Sequence, residues 1–223
     1  KEAHKKAVEY ASKAGAVISF DPNLRPQLWE DEEKLCTAVK EFLPYSDILK
    51  LSDEELFFIT GKEQIKDALE DLFDLGNSVV LYTSEVMEQR IYPQGIGKRT
   101  GQDKKAVDTT GAGDGFIGSF LNQLAFDGKS LEDMKQMTSE QWEQYLTFSN
   151  VFCGESIQKK GAISSYITRE QMQNFFHKKE YIGISSINFR SSFYNTLKSD
   201  GHRQTGGFQG VFLSLKKLYI VGG

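Results

Sequence analysis

The stretch Ala106-Val-Asp-Thr-Thr-Gly-Ala-Gly-Asp-Gly115 is the most informative part of this sequence. It predicts the end of a strand, a turn of small residues over 111–113, and a helix that begins beside Asp114. Apolar side chains recur at helical spacing after the turn, at Phe116, Ile117, Phe120, Leu121 and Leu124. A helix start exposes unpaired backbone N–H groups and the positive end of the helix dipole, which together bind anions.

The same turn contains a carboxylate. Gly111 and Gly113 have no Cβ, so the backbone can approach an anion closely there. Asp114 is poorly suited to holding a phosphate, but it is well placed to accept a proton from a hydroxyl that attacks one. An anion-binding turn with a base beside it indicates phosphoryl transfer to an alcohol. No Gly-Lys-Ser/Thr follows the turn, which argues against a P-loop nucleotidase.

The segment Asp108-Thr-Thr-Gly-Ala-Gly-Asp114 resembles the C-terminal signature of the ribokinase-like (PfkB) sugar kinases. Ser19-Phe-Asp-Pro-Asn-Leu-Arg25 with Trp29 resembles the matching stretch of the family's bacterial fructokinases. Three further segments occur in the family's order: Lys50-Leu-Ser-Asp-Glu-Glu55, Thr60-Gly61 and Lys160-Gly-Ala162. The resemblance implies an α/β fold: a ribokinase-like three-layer sandwich with a mostly parallel central sheet, here lacking the family's N-terminal strands and lid. It also implies ATP-dependent phosphorylation of a sugar hydroxyl, with fructose as the leading substrate and 2-keto-3-deoxygluconate as an alternative.

The resemblance gives each residue of the signature a role. Asp114 is the expected general base, and the backbone N–H groups of Gly111, Ala112 and Gly113 are expected to stabilise the transferred phosphoryl group. The alternatives are an acidic residue favoured by the helix dipole and an ordinary glycine-rich turn.

A monovalent cation site is implied beside this turn. Asp108 and Thr110 resemble family positions that hold such a cation, expected to be K⁺. The remaining oxygens would come mostly from the backbone, at Ser156, Lys159, Gly161 and Ser165. The alternative for Asp108 is a turn or capping residue.

Further residues are expected to contact Mg²⁺ and the nucleotide. Glu55 matches the acidic end of an Asn-x-x-Glu element that orders Mg²⁺ and phosphate through water, with Ser52 where Asn is usual. The same spacing is also a plain capping box. Thr83 ends a predicted strand. The loop after it carries Glu85 and Glu88 where the family has glycines, and these two carboxylates would repel phosphate.

Asn150 lies where the family contacts adenine or ribose, and a solvent-facing helix position is the alternative. Asp21, Asn23 and Arg25 are expected to face the sugar, because Arg offers a rigid fork for hydroxyls or a phosphate. A Pro-Asn turn after a strand is the alternative for this segment.

Helices are predicted over 1–14, 30–43, from Gly61 to about 75, and over 113–126, 139–158 and 168–176. Strands are predicted over 16–20, 48–51 and 79–83, with a hairpin region at 90–92. Such alternation predicts a largely parallel sheet with ligands beyond the carboxyl ends of its strands. Residues 1–179 are expected to form the nucleotide-binding and catalytic portion. Residues 180–223 are an unassigned tail, expected to be peripheral to the site, whose segment 215–221 is a possible strand.

A net charge of −4 argues against a general nucleic-acid binder. Cys36 and Cys153 are widely separated, which is typical of reduced cytosolic thiols. No apolar run approaches membrane-spanning length, so a cytoplasmic protein is predicted.

The sequence starts inside a helical pattern, and we expect the C-terminal portion of a kinase that binds ATP and a small sugar, with a possible homodimer in the full-length protein. The second hypothesis is a non-catalytic or regulatory nucleotide-binding protein on the same scaffold.

Overall fold

The computed structural model describes residues 2–84, 88–92, 96–99, 106–177 and 218–222. Contacts within the chain divide it into two compact units. The sheet unit comprises Lys1–Gly101, Lys129–Glu143 and Lys216–Gly223, and the turn unit comprises Gln102–Gly128 and Gln144–Leu215. The predicted portion 1–179 therefore spans parts of both units, and its boundary at 179 stays a prediction.

The sheet unit is built on a six-stranded sheet. Its strands are β1 (Val17–Asp21), β2 (Ile48–Ser52), β3 (Val79–Thr83), β4 (Glu88–Tyr92), β5 (Ile96–Arg99) and β6 (Leu218–Gly222), in the spatial order β5-β4-β3-β2-β1-β6. The pairings β1–β2, β2–β3 and β1–β6 are parallel, whereas β3–β4 and β4–β5 are antiparallel. The predicted mostly parallel sheet and the hairpin at 90–92 are confirmed.

The helices before the signature lie in the sheet unit. They are α1 (Glu2–Lys13), α2 (Glu32–Lys40), α3 (Asp53–Thr60) and α4 (Ile65–Asp74). The prediction for α2 was too long at both ends. Asp31 caps its start through a hydrogen bond from the backbone N–H of Lys34, and Pro44 lies in a separate short 3-10 helix, Leu43–Tyr45.

The core of the sheet unit encloses its three central strands and explains why β1, β2 and β3 are mostly apolar. Every residue of β1 is buried, as are the first four residues of β2 and of β3. Strands covered on both faces are expected to lack the polar alternation of a half-exposed sheet. Their side chains pack with helix residues in one cluster that includes Val8, Leu35, Leu56, Ile59 and Leu72.

The later helices are α5 (Ala112–Phe126), α6 (Leu131–Lys135), α7 (Ser139–Ser156) and α8 (Arg169–His177). The helices predicted over 113–126, 139–158 and 168–176 are confirmed within two residues. Helix α6 was not predicted, although the capping box between Ser130 and Asp133 marks its start in the sequence. In the turn unit, Phe148, Val151 and Phe152 of α7 form a buried cluster with Ile167 and Met172.

The segment 106–110 is not a strand: the N–H groups of Val107 and Asp108 both donate to the carbonyl of Ile157, so no strand ladder forms there. Most of the tail, including Arg190, His202 and Gly206, lies outside the described residues, as does Glu85. The predicted strand at 215–221 is present as β6. No helix in the described part of the chain is long and apolar enough to cross a membrane.

Candidate active site

The start of α5 forms a tight turn that leaves several backbone amide groups free. Gly111 is the N-cap residue, and its carbonyl accepts the first helical hydrogen bond, from the Gly115 N–H at 2.8 Å. The Ala112 N–H is engaged, because it donates to the Thr109 carbonyl at 3.0 Å. Within the described residues, the N–H groups of Gly111, Gly113 and Asp114 have no hydrogen-bond partner. Three free donors at a helix start are what an anion requires.

Gly111 is required at the cap for two physical reasons. Its φ of 77° lies in the left-handed region, which residues with a Cβ rarely adopt. A Cβ at this position would also lie 2.9 Å from the Cβ of Ala162 and 3.1 Å from the hydroxyl oxygen of Tyr166. The glycine therefore serves both the turn conformation and close packing against the loop after α7.

Asp114 lies in the first turn of α5 and is exposed. The neighbouring residue Gly113 is also exposed, so the free amides and the carboxylate occur on the same accessible turn. The negative charge of Asp114 contributes to a raised pKa of Tyr166, whose main cause is burial of the phenol. The carboxylate is thus available to a ligand rather than consumed by a structural contact.

Asp108 ties the turn to the loop that follows α7. One carboxylate oxygen accepts the Thr110 N–H at 2.9 Å, and the other accepts the Gly161 N–H at 2.9 Å. A hydrogen bond from the Thr110 hydroxyl, together with these two backbone N–H groups, lowers the pKa of Asp108 to about 2. Asp108 therefore has the structural role that was the alternative for it, that of a turn residue.

The other residues expected at the cation site lie near these contacts. The Ser156 hydroxyl donates to the Phe152 carbonyl, and the Ser165 hydroxyl donates to the Ala162 carbonyl, so both side chains are engaged locally. The Ser156 carbonyl accepts the Lys159 N–H at 3.2 Å. In the described part of the chain, the backbone carbonyls of Thr110, Lys159 and Gly161 accept no hydrogen bond. These three backbone carbonyl oxygens are therefore free to act as ligands of a hard cation.

Asn150 of α7 is half-buried, and its side-chain amide is enclosed. Neither the amide nitrogen nor the amide oxygen has a hydrogen-bond partner within the described residues. The solvent-facing alternative is therefore not what the structure shows. A buried amide with both groups unpaired is costly, and such groups call for an explanation.

In the sheet unit, Asp21 and Lys50 form a buried ion pair. Asp21 ends β1, Lys50 lies on the neighbouring strand β2, and the two side chains are each 10% exposed with Nζ 3.2 Å from the carboxylate. Sequence reasoning did not assign a role to Lys50. The available signal was a lysine inside an otherwise apolar buried strand, because a buried charge needs a partner.

Asn23 and Arg25 lie in the loop after β1. Asn23 adopts a positive φ of 47°, as asparagine does more readily than most residues. The Arg25 guanidinium is exposed and donates to the carbonyls of Leu24 and Asn23, at 2.9 and 3.3 Å. Residues 22–25 form neither a helix nor a hydrogen-bonded turn, and the guanidinium lies folded against its own loop.

Glu55 connects that loop to α3. Its Oε2 accepts the Ser52 N–H at 2.9 Å, and the Ser52 hydroxyl accepts the Glu55 N–H, so the capping box is confirmed. Its Oε1 accepts the Leu24 N–H, also at 2.9 Å. The buried carboxylate thus holds two backbone segments, while each oxygen retains further acceptor capacity for an ordered water.

Thr83 and Ser52 are register partners at the carboxyl ends of β3 and β2. The Thr83 hydroxyl lies 3.4 Å from the Leu51 carbonyl. Asp21 ends the adjacent strand β1, so these three predicted residues share one edge of the sheet. Glu88 begins β4.

Among the described residues, no three His, Cys, Asp or Glu side chains are grouped as a metal site would need.

Known proteins resemble the chain along most of its length. Fructokinase-1 of Oryza sativa subsp. japonica is 34% identical over 174 residues, which cover 77% of this chain and 52% of the rice protein. Putative fructokinase-8 of Arabidopsis thaliana is 35% identical over 181 residues, covering 80% of this chain and 84% of that protein. The crystal structure of fructokinase from Vibrio cholerae O395 matches with a TM-score of 0.66 at 26% identity, covering 78% of this chain and 55% of that one.

The chain thus spans about half the length of the rice protein. The fold of the matched part is ribokinase-like α/β, as the resemblance implied. The profile of the pfkB family carbohydrate kinases matches residues 1–169, which include the glycine turn, Asp114, the Glu55 capping box and the loop at 159–165. These matched segments, and the geometry that they adopt, place the chain in the pfkB family of carbohydrate kinases.

Proposed function

We propose that the protein containing this chain phosphorylates a sugar hydroxyl with ATP. The observation that supports this best is the start of α5, where the exposed Asp114 carboxylate stands next to the free N–H groups of Gly113 and of Asp114 itself. Family membership supports the same reaction class, because the matched family is one of carbohydrate kinases.

The turn suits the chemistry of phosphoryl transfer. Amide N–H groups stabilise the charge that spreads over the equatorial oxygens of the transferred group. A carboxylate would repel those oxygens, but it can orient the attacking hydroxyl and take its proton. In this proposal Asp114 acts on the sugar, and the amides of Gly111, Gly113 and Asp114 act on the phosphoryl group. The Ala112 amide, engaged by Thr109, contributes through the shape of the turn.

The nucleotide and ions follow from the proposed reaction. Mg²⁺ would neutralise phosphate charge, and Glu55 and Ser52 would orient its water ligands; the second acceptor sites of the Glu55 carboxylate fit this role. K⁺ would be held by the free carbonyls of Thr110, Lys159 and Gly161 beside the carboxylate of Asp108. The Vibrio cholerae fructokinase was solved in a form with fructose, ADP and calcium bound. The enclosed, unpaired amide of Asn150 fits hydrogen bonding to the adenosine part of ATP.

Fructose is the proposed substrate. The matched rice and Arabidopsis relatives are both named as fructokinases, and the fructose-bound Vibrio cholerae enzyme shares the fold. Asp21, Asn23 and Arg25 are the residues of this chain proposed to contact the sugar. Asp21 pairs with Lys50, and Arg25 donates to the backbone of its own loop. These contacts hold the start of the loop that is proposed to bind the sugar.

The direct test measures ATP consumption by the full-length protein against a panel of fructose, other ketoses and 2-keto-3-deoxygluconate. Thermal stabilisation by MgATP is measured in parallel, because a ligand that binds only the folded state raises the melting temperature. Sugar-dependent ADP formation with fructose supports the proposal. Stabilisation by MgATP without turnover on any sugar would instead favour the regulatory alternative.

A further inference from the structure

Two side chains without a part in the proposed reaction bind successive carbonyl oxygens of the glycine turn. The hydroxyl of Tyr166 donates to the Gly111 carbonyl at 2.8 Å, and the Sγ of Cys153 lies 3.2 Å from the Ala112 carbonyl oxygen. Tyr166 follows the 3-10 helix Ile163–Ser165, and Cys153 lies on α7. All four residues belong to the turn unit.

Fixing these carbonyls also fixes amide directions. The C=O of one residue and the N–H of the next lie in a single rigid plane. Three hydrogen bonds hold the peptide plane that joins Gly111 to Ala112. Its oxygen accepts the Tyr166 hydroxyl and the Gly115 N–H, and its N–H donates to the Thr109 carbonyl. The Cys153 thiol holds the oxygen of the next plane, whose N–H is the free amide of Gly113.

Both donors stay protonated at neutral pH. Burial raises the pKa of the Cys153 thiol to about 12. Burial, followed by the negative charge of Asp114 and that of Cys153 in its ionised form, raises the pKa of Tyr166 to about 12. The phenol ring is held as well: its centroid lies 5.3 Å from that of Phe152, and a Cβ on Gly115 would lie 3.1 Å from its Cε1. The hydroxyl therefore has one well-defined position against Gly111.

We propose that Tyr166 is a positioning residue for phosphoryl transfer. Its hydroxyl holds the Gly111 carbonyl, and the Cys153 thiol holds the Ala112 carbonyl, so that the Gly113 amide is set before phosphate arrives. This inference rests on the proposed function. Preorganised donors matter most for charge that develops in the transition state, so loss of the hydroxyl acts on kcat more than on KM.

The test replaces Tyr166 by Phe in the full-length protein, which removes the hydroxyl and keeps the ring. Tyr145→Phe is the matched control, because the Tyr145 hydroxyl bonds Asp127 at the opposite end of the same helix, α5. We expect Tyr166→Phe to lower kcat roughly 10-fold while KM for MgATP changes by less than about 3-fold. Tyr145→Phe should keep the wild-type kcat. Equal losses of kcat in the two variants, or a wild-type kcat in Tyr166→Phe, would overturn the proposal.

A binding readout separates this inference from the proposed function. Amide NMR signals of Gly113 and Gly115 are followed with and without MgATP in the wild-type protein and both Phe variants. In Tyr166→Phe the Gly115 N–H should exchange faster with solvent, since its acceptor carbonyl has lost a restraint, and the MgATP-induced shift of Gly113 should be smaller. If the wild-type protein phosphorylates no sugar, the proposed function fails, but these signals still decide the positioning role. Signals unchanged by the Tyr166 substitution would refute it.

Discussion

The carboxylate of Asp108 accepts the backbone N–H of Gly161 at 2.9 Å, which joins two segments 53 positions apart in the sequence. The same carboxylate accepts the Thr110 N–H, two residues ahead of it. One side chain therefore fixes both the approach to the glycine turn and the loop that follows α7. The glycine at 161 is needed for this contact, since its φ is 99° and a Cβ would lie 2.3 Å from the Ser164 hydroxyl oxygen.

This contact should be lost only in strong acid. Because hydrogen bonds lower the pKa of Asp108 from 3.8 to about 2, the contribution of its charge is present above about pH 4 and is lost as the pH falls through 2. The Gly161 amide shift, followed by NMR, should titrate with a midpoint near 2. Asp108→Asn should abolish that titration. A midpoint near 4 would show that the carboxylate is not held as described.

Gly111→Ala should destabilise the protein by about 1–3 kcal/mol, because alanine is strained at a left-handed φ. The Cβ contact at 2.9 Å with Ala162 adds to this cost. The matched control is Gly154→Ala in α7, where a Cβ meets no atom within 4 Å. That change should stabilise the helix by about 0.5–1 kcal/mol. The free energies of unfolding in urea measure both, and equal values for the two variants would contradict the turn geometry.

Short-range features of the site were predictable from the sequence. The Ser52–Glu55 capping box and the start of α5 depend on residues three or four apart, so local spacing predicted both. Other contacts in each unit join distant positions: Lys50 reaches Asp21 across 29 residues, and Tyr166 reaches Gly111 across 55. Such partners depend on the tertiary fold, and no local pattern specifies them.

The same distinction explains the errors. An apolar Val107 before Asp108 suggested a strand, but both N–H groups turn to the Ile157 carbonyl, a long-range acceptor that the sequence does not reveal. The start of α2 was misplaced by two residues because Glu30 and Asp31 are both acidic. Only the hydrogen bond from the Lys34 N–H to the Asp31 carboxylate identifies Asp31 as the cap. Cys153 was interpreted as a simple thiol, whereas its Sγ lies against the Ala112 carbonyl.

Glu55→Gln should destabilise the protein even without ligands. Each Glu55 oxygen accepts a backbone N–H, from Ser52 or from Leu24, and a glutamine would turn its NH₂ group toward one of those donors. An unsatisfied buried donor costs about 1–3 kcal/mol. Glu54→Gln, at an exposed position on the same helix, is the control. If both variants melt at the wild-type temperature, and only the Glu55 variant loses Mg²⁺ affinity, the carboxylate serves the ligand alone.

Lys50→Met should cost about 3–5 kcal/mol, because it removes the charged partner of the buried Asp21 carboxylate. Lys66→Met is the matched control: Lys66 pairs with Glu70, but the two side chains are 84% and 64% exposed. Exposed pairs contribute under about 1 kcal/mol. The double variant Lys50→Met with Asp21→Asn should recover part of the loss. Full stability of Lys50→Met would mean that the pair is not buried in solution.

Asp114→Asn should lower kcat severely in the full-length protein and leave MgATP binding nearly intact. Asparagine keeps the size of the side chain and the start of α5, but it cannot accept the proton of the sugar hydroxyl. Loss of a general base typically costs about 10²–10⁴-fold in rate. Gly113→Val, in contrast, should weaken MgATP binding as well as the rate, because the free amide at this position is proposed to contact the phosphoryl group. Calorimetric titration with MgATP and initial rates with fructose measure the two effects separately. If Asp114→Asn keeps a near-normal kcat, or abolishes MgATP binding while the fold is intact, Asp114 is not the base, and the regulatory alternative is favoured.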